Sequence, residues 1–397
     1  MPKYKYLIVG GGMTGDAALH GICAIDSDGS IGLISAEPHA PYNRPPLSKA
    51  LWKGKPLESI WRKDDKQAVT FHVGRTALKL DPQNKSVVDD QGTVYNFDKL
   101  LLATGSTPRR LPFGAEQIIY FRTLDDYQQL RGLCEQGQRF AIIGGGFIGA
   151  EIAAALAMNG KEVVMILPGE AIGSHMFPPE LASFLNDYYR QKGVQVLAGQ
   201  VVAGIENRGS KSVLKIHGAQ SNSEQQVTFD GVVAGIGVEP NVELARTAGI
   251  LVENGIRVDS CLRTNLPNIY AAGDVANFHN PALDKWLRVE HEDNANTMGD
   301  LAGRAMAGET VSYDYLPSFY SDLFELGYEA VGEMDARLET VADWKVPYRE
   351  GVVYYLRDGR VRGVLLWNVW DQVDAARRLI SEPGPFKAAQ LKGRLPR

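Results

Sequence analysis

The chain has 397 residues, 44% of them hydrophobic, and 42 Lys and Arg against 47 Asp and Glu give a net charge of −5. That length accommodates two or three cores, and the weak negative charge, with no block of like charge before the C-terminus, excludes a nucleic-acid or anionic-membrane binder that works by bulk electrostatics. The three cysteines, Cys23, Cys134 and Cys261, form no CxxC pair, which argues for a reducing compartment and against a zinc site or a local redox disulfide.

A strand is expected from about Tyr4, which leaves no room for a targeting peptide, and no apolar run is long enough to span a bilayer, so a cytoplasmic location is expected. Residues 6–9 read as a short apolar strand, and Gly10, Gly12 and Gly15 form a GxGxxG turn into a helix with Ala18, Ile22 and Ile25 at helical spacing. A second strand, 31–34, ends before Glu37, which lies 22 residues beyond Gly15, where an acidic side chain takes a ribose hydroxyl pair. Residues 41–49, PYNRPPLSK, place Arg44 and Lys49 in a stretch with three prolines. Such a stretch suits a loop that holds a diphosphate or a flavin, whereas composition alone favours a Pro-rich surface loop. A buried strand then runs into Ala103-Thr104-Gly105, and Pro108, Pro112 and Gly114 mark a domain boundary.

Residues 140–151, FAIIGGGFIGAE, repeat the pattern: an apolar strand, then Gly144, Gly146 and Gly149 opening a small-residue helix that stops at Asn159-Gly160. The next strand, 163–167, ends at Leu167, where an acid often stands, and Glu170 follows three residues later. No Lys or Arg lies between Glu162 and Tyr189 to neutralise a 2′-phosphate, which predicts NADH over NADPH. A strand over 231–236 and a turn at Gly237-Val238-Glu239-Pro240 close this unit. Strand 268–272 ends in Gly273-Asp274, whose carboxylate can accept from a sugar or ribitol hydroxyl. A helix is expected from about Glu290, with His291, Ala295, Met298, Ala302 and Ala305 on one face; that spacing turns His291 inward, as a core or a functional histidine. In the tail, Asp358-Gly359 between two apolar runs predicts a type I′ hairpin, followed by an amphipathic helix carrying Val373, Ala376 and Ile380.

The expected fold class is α/β, with two Rossmann-like dinucleotide-binding domains and a small C-terminal α+β domain. The domains are placed at 1–112 with 242–312 (FAD), 113–241 (NAD) and 313–397 (an interface or dimerisation domain). Two glycine turns 134 residues apart can hold two dinucleotides, and the use of such a pair is to pass electrons between them.

The strings YNRPPLSK, GGGFIGAE, GVEPNVELA, YAAGDVA, RVEHEDNA and YYLRDGRVRGVLLWN resemble apoptosis-inducing factor and the bacterial ferredoxin reductases that serve oxygenases, within the flavoprotein superfamily that includes glutathione reductase. The resemblance implies FAD and NAD as cofactors, with Arg44 and Lys49 on FAD and Lys49 paired to Glu151 beside flavin N5. It implies Arg122 near the flavin, Phe147 over the flavin face until nicotinamide displaces it, and Glu290 and His291 near the flavin and the carboxamide. The N-terminus of their helix would favour the anionic reduced flavin. Lys49, Glu151, Phe147 and His291 are thereby the catalytic candidates, and Ala77, Ile148, Gly237 and Tyr320 join the cofactor-contacting positions. Tyr320 departs from the relatives, which carry Trp there. The implied acceptor is a ferredoxin or rubredoxin, with Arg377, Arg378, Lys387, Lys392, Arg394 and Arg397 as a candidate docking patch. Two other implied readings are a redox-responsive protein with a long-lived NADH complex and NADH-dependent homodimerisation, and a reductase of quinones or ascorbyl-type radicals.

Overall fold

The structure, a computed structural model, describes residues 1–62, 69–114, 116–219 and 224–396. The chain forms two compact units: Met1–Asn43, Glu58–Thr107 and Glu239–Ser318 make the first, and Arg44–Leu57, Pro108–Val238 and Phe319–Arg397 the second.

In the first unit the apolar run Lys3–Val9 lies between Ile31–Ser35 and Val94–Leu102, parallel to both. Val69–Val73 and Ile269–Ala271 extend the parallel sheet on either side. Leu7, Ile8, Leu100, Leu101 and Leu102 are fully buried, as expected of strands covered on both faces, which read as unbroken apolar runs rather than alternating ones. Helix Met13–Ile25 packs against helix Glu292–Ala307 so closely that a Cβ at Gly303 would lie 2.0 Å from the Ala18 carbonyl oxygen. Ala18 and Ile22 face the core, whereas Ile25 ends the helix 44% exposed; the helix terminates there, so its last apolar residue has no layer to pack under.

The second unit contains the other parallel sheet, in the order Val194–Ala198, Glu162–Leu167, Arg139–Ile143, Gly231–Ala234, Ile119–Tyr120. Helix Phe147–Met158 stops as expected at Asn159, with Gly160 at φ +72°. A three-stranded sheet, Gln200–Arg208, Lys211–Gly218 and Glu224–Phe229, is inserted before Gly231. The sequence did not announce it, because a bulge between Val202 and Gly204 breaks the two-residue alternation. Val238–Pro240 is extended rather than the expected turn. The tail forms a five-stranded sheet in the order Ser318–Leu323, Leu326–Gly332, Arg360–Trp367, Glu350–Arg357, Glu339–Val346. Its hairpin carries Asp358 and Gly359 both at positive φ, 53° and 72°, the type I′ geometry that Asp-Gly predicts. Helix Val373–Ser381 covers this sheet with Ala376, Leu379 and Ile380 buried.

Candidate functional site

The two glycine turns are near copies. Their helices begin after Gly12 (φ −80°, ψ −171°) and Gly146 (φ −82°, ψ −168°), and neither start has a side-chain cap. A Cβ at Gly15 would lie 2.0 Å from the Gly10 carbonyl oxygen, and one at Gly149 would lie 2.2 Å from that of Gly144, so only glycine lets each turn close. A Cβ at Gly146 would meet nothing within 4 Å. The second helix thus starts beside open space, and the first repeats its backbone geometry, an arrangement that fits the pyrophosphate of a dinucleotide.

Around the first turn, Glu37 follows its strand and accepts from the Tyr42 hydroxyl at 2.6 Å. Ala77 opens strand Ala77–Asp81 two residues after Arg75, whose N–H donates to the Ser35 carbonyl at 2.8 Å. Thr104 and Gly105 are clamped by Asn241: its Nδ2 donates to the Thr104 carbonyl at 2.8 Å, its N–H to the Gly105 carbonyl at 3.0 Å, and its own carbonyl accepts from Thr104 Oγ1 at 2.8 Å. Gly273 has φ +77° and a Cβ there would lie 2.2 Å from Thr14 Oγ1. Gly273-Asp274 is therefore seated on the first glycine turn, with Ser106 Oγ donating to Asp274 Oδ2 at 2.9 Å. Two partners escaped the sequence reading, Asn241 and the buried Asp16, which accepts from the Arg62 guanidinium.

His291 departs from expectation. It is the N-cap of helix Glu292–Ala307, extended at φ −124°, ψ 154°, while Ala295, Met298, Ala302 and Ala305 form the buried face without it. The residues just inside the helix explain this: Asn294 Nδ2 donates back to the Val289 carbonyl at 2.9 Å, and Asp293 accepts from the Ser318 N–H and the Tyr315 hydroxyl, each at 2.8 Å. The Asn294 bond ties the approach at Val289 to the first turn, which begins one residue after His291, and the Asp293 bonds fix that turn to residues 315–318. Glu290, just outside, pairs with Arg288.

In the second unit, Glu151 lies on the inner face of helix Phe147–Met158, 3% exposed. Its Oε2 receives Lys49 Nζ at 2.7 Å and Ser48 Oγ at 2.6 Å, and its Oε1 receives Ser321 Oγ at 2.6 Å. The Lys49 ammonium also stands 5.2 Å from the centre of the Tyr320 ring, a cation–π contact. Burial first, then the negative charge of Glu151, pushes the Tyr189 and Tyr328 hydroxyls well above the ordinary phenol range. Phe147, the first residue of the helix, meets Phe319 edge to face with ring centres 5.4 Å apart, and Ile148 beside it is half-buried. Arg44 donates to the Arg122 carbonyl at 3.0 Å, and the Arg122 N–H donates to Asp126 at 2.9 Å. Neither serine was singled out from sequence.

The segment carrying Glu170 is pinned beside the second glycine turn: Asn186 Nδ2 donates to the Glu170 carbonyl at 2.9 Å and the Gly173 N–H to the Gly145 carbonyl at 2.9 Å. Leu167 is buried. Gly237, at φ +95°, accepts from the Arg109 N–H at 2.9 Å. Of the C-terminal basic residues, Arg377 pairs with Asp374 and Arg394 with Glu382, each at 2.8 Å; Arg397 lies outside the described residues. Among the described residues no helix is long and apolar enough to cross a membrane, and no group of three or more His, Cys, Asp or Glu is set to hold a metal ion.

Residues 4–299 match the family described as pyridine nucleotide-disulphide oxidoreductase, and residues 343–382 match the C-terminal region of apoptosis-inducing factor. The chain is 34% identical to monodehydroascorbate reductase 3 of Arabidopsis thaliana, over 92% of this chain and 89% of that one. It is 30% identical to putidaredoxin reductase of Pseudomonas putida, over 96% and 92%. Among solved structures, the covalent putidaredoxin reductase–putidaredoxin complex superposes with a TM-score of 0.90 at 27% identity, covering 98% of this chain and 96% of that one. With two glycine turns that fit dinucleotides and these likenesses along nearly its whole length, the chain belongs to the pyridine nucleotide-disulphide oxidoreductase family, as an FAD- and NAD(H)-using oxidoreductase like apoptosis-inducing factor and the ferredoxin reductases.

Proposed function

We propose that this enzyme takes its electrons from NADH and delivers them to a small iron–sulfur protein of the ferredoxin type. When bound, FAD supplies the chemistry that joins the two halves, accepting hydride at N5 and releasing electrons to the acceptor. The observation that carries the reading is the pair that Lys49 makes with Glu151, the buried carboxylate on the helix of the second glycine turn. With Lys49, Ser48 and Ser321 all within hydrogen-bond distance of its oxygens, the Glu151 carboxylate holds the Lys49 side chain in one place, where it is proposed to serve flavin N5. Phe147 is assigned the nicotinamide face, Glu170 the adenosine ribose, and Gly10, Gly12, Gly15, Glu37, Thr104, Gly105 and Asp274 the FAD. NADH is preferred because no Lys or Arg lies between Glu162 and Tyr189. We assign NADH to residues 113–241, FAD to 1–112 with 242–312, and interface formation to 313–397, in a cytoplasmic setting.

The acceptor assignment rests on the likeness to putidaredoxin reductase. The Arabidopsis relative favours a second reading, an organic radical as one-electron acceptor. Anaerobic reduction with NADH, followed by reoxidation with a [2Fe-2S] ferredoxin, a quinone or monodehydroascorbate, separates the two. Fast reoxidation by ferredoxin alone supports the first, and fast reoxidation by the radical alone replaces it with the second. Light scattering on the same samples reports whether NADH drives dimerisation.

A further inference from the structure

Glu151 is bracketed by hydroxyls from two segments far apart in the chain. Ser48 sits in the 3₁₀ turn Pro45–Ser48, next to Lys49, and Ser321 in strand Ser318–Leu323; both serines are buried, Ser321 completely. Each hydroxyl has one proton to give. Ser321 gives it to Glu151 Oε1 at 2.6 Å. Ser48 has Glu151 Oε2 at 2.6 Å and the Pro45 carbonyl at 3.4 Å within reach, and the shorter bond to the charged oxygen is the stronger. Lys49 Nζ stands 2.7 Å from Oε2, the oxygen that Ser48 also holds. The terminal torsion of a glutamate is broad and nearly two-fold, so with Lys49 alone the carboxylate could turn and present either oxygen at a range of angles. The hydroxyl on Oε1 and the hydroxyl beside Lys49 on Oε2 remove that freedom from both sides.

We propose that Ser48 and Ser321 are positioning residues that lock the Glu151 carboxylate, and through it aim the Lys49 ammonium, for reduction of the flavin by NADH. This rests on the assignment of Lys49 and Glu151 made above. The same bracket accommodates a buried carboxylate at this point of a helix: its close partners Lys49, Ser48 and Ser321 are donors, the first two from Arg44–Leu57 and the third from Phe319–Arg397 of the second unit.

The test is a cycle of variants: Ser321→Ala, Ser48→Ala, Ser321→Thr, Glu151→Ala and Glu151→Ala with Ser321→Ala. It is read by single-turnover reduction with NADH over a range of concentrations and by the thermal midpoint of each protein. Ser321→Ala is expected to slow hydride transfer about tenfold with the NADH dissociation constant unchanged, since small misplacements of a positioned group carry costs of this order. Ser321→Thr, which keeps the hydroxyl, should recover most of the rate. In the Glu151→Ala background, removing Ser321 should change neither the rate nor the midpoint, although it lowers both when Glu151 is present. Ser48→Ala, in another segment, gives a second reading should Ser321→Ala fold poorly. Equal slowing in both backgrounds, or normal reduction by both serine variants, overturns the proposal. If Glu151→Ala slows reduction and the serine variants do not, only the serine role falls. If Glu151→Ala itself reduces at the normal rate, the assignment of Glu151 falls and the serine role with it.

Discussion

At the scale of residues, Glu151 and Lys49 dominate because both are nearly removed from water, with side chains 3% and 11% exposed. Removing one member of such a pair leaves the other buried without its counter-charge, at a cost of about 3–5 kcal/mol. Glu151→Ala is therefore expected to lower the thermal midpoint, retain FAD and slow flavin reduction by NADH; reduction at the wild-type rate would remove Glu151 from the chemistry. The glycine turns give a paired prediction. Gly149→Ala must displace the Gly144 carbonyl, 2.2 Å from the new Cβ, at about 1–3 kcal/mol, and should weaken NADH binding while FAD is retained. Gly15→Ala, 2.0 Å from the Gly10 carbonyl, should instead lower FAD content. Absorbance of the purified variants and an NADH titration check both.

The same residues show what could be read from the chain. The glycines announce themselves by spacing, because the turn geometry that needs them is local. Lys49 and Glu151 came from resemblance, since two residues 102 positions apart share no periodicity. Ser321 stands beside Tyr320, a position the resemblance marks, but nothing in the sequence joins it to a carboxylate 170 positions away until the fold does. Apolar spacing cannot tell the first residue of a helix from its cap, which is where His291 stands, beside the Asn294 bond back to Val289.

At the scale of elements, the type I′ hairpin at Asp358-Gly359 was legible because its backbone demands are local. Gly359→Val puts a branched side chain at φ +72° with its Cβ 2.7 Å from that of Pro385. It should cost at least about 1–2 kcal/mol, read as a lower midpoint in denaturant. Helix Pro179–Gln191 is tied to Glu325, in the turn between the first two strands of the C-terminal sheet, by donors that sequence alone did not connect. Lys192 and the Tyr188 hydroxyl both reach that carboxylate and hold it at about 2, below the ordinary 4.5. Because the folded value is depressed, the stabilisation is fully present above pH 4.5 and is lost as pH falls toward 2. Glu325→Gln should lower the denaturation midpoint at pH 6 and converge on the parent near pH 2. With this side chain 69% exposed, solvent screening keeps the difference small. The inserted sheet Gln200–Arg208, Lys211–Gly218, Glu224–Phe229 is the element that pattern reading passed over, for the bulge that interrupts it.

At the scale of the whole molecule, a duplicated strand–glycine–helix pattern is what made the fold legible from 397 residues: one GxGxxG is weak, and two in the same context define two dinucleotide sites. What the duplication does not encode is the acceptor, because that surface is set by side chains from distant segments. The net charge of −5 supplies no general attraction for an acidic partner, and Arg377 and Arg394 already hold acids of their own. Turnover with a ferredoxin is accordingly expected to show only a shallow fall with rising salt; a steep fall would locate a basic docking face elsewhere on the molecule. The most direct test of the account is an anaerobic titration of the FAD-loaded protein with NADH, followed through the visible absorbance of the flavin. Stoichiometric bleaching, with NADPH far less effective, is the predicted result. A purified protein that takes up no FAD, or whose flavin NADH leaves oxidised, would contradict it.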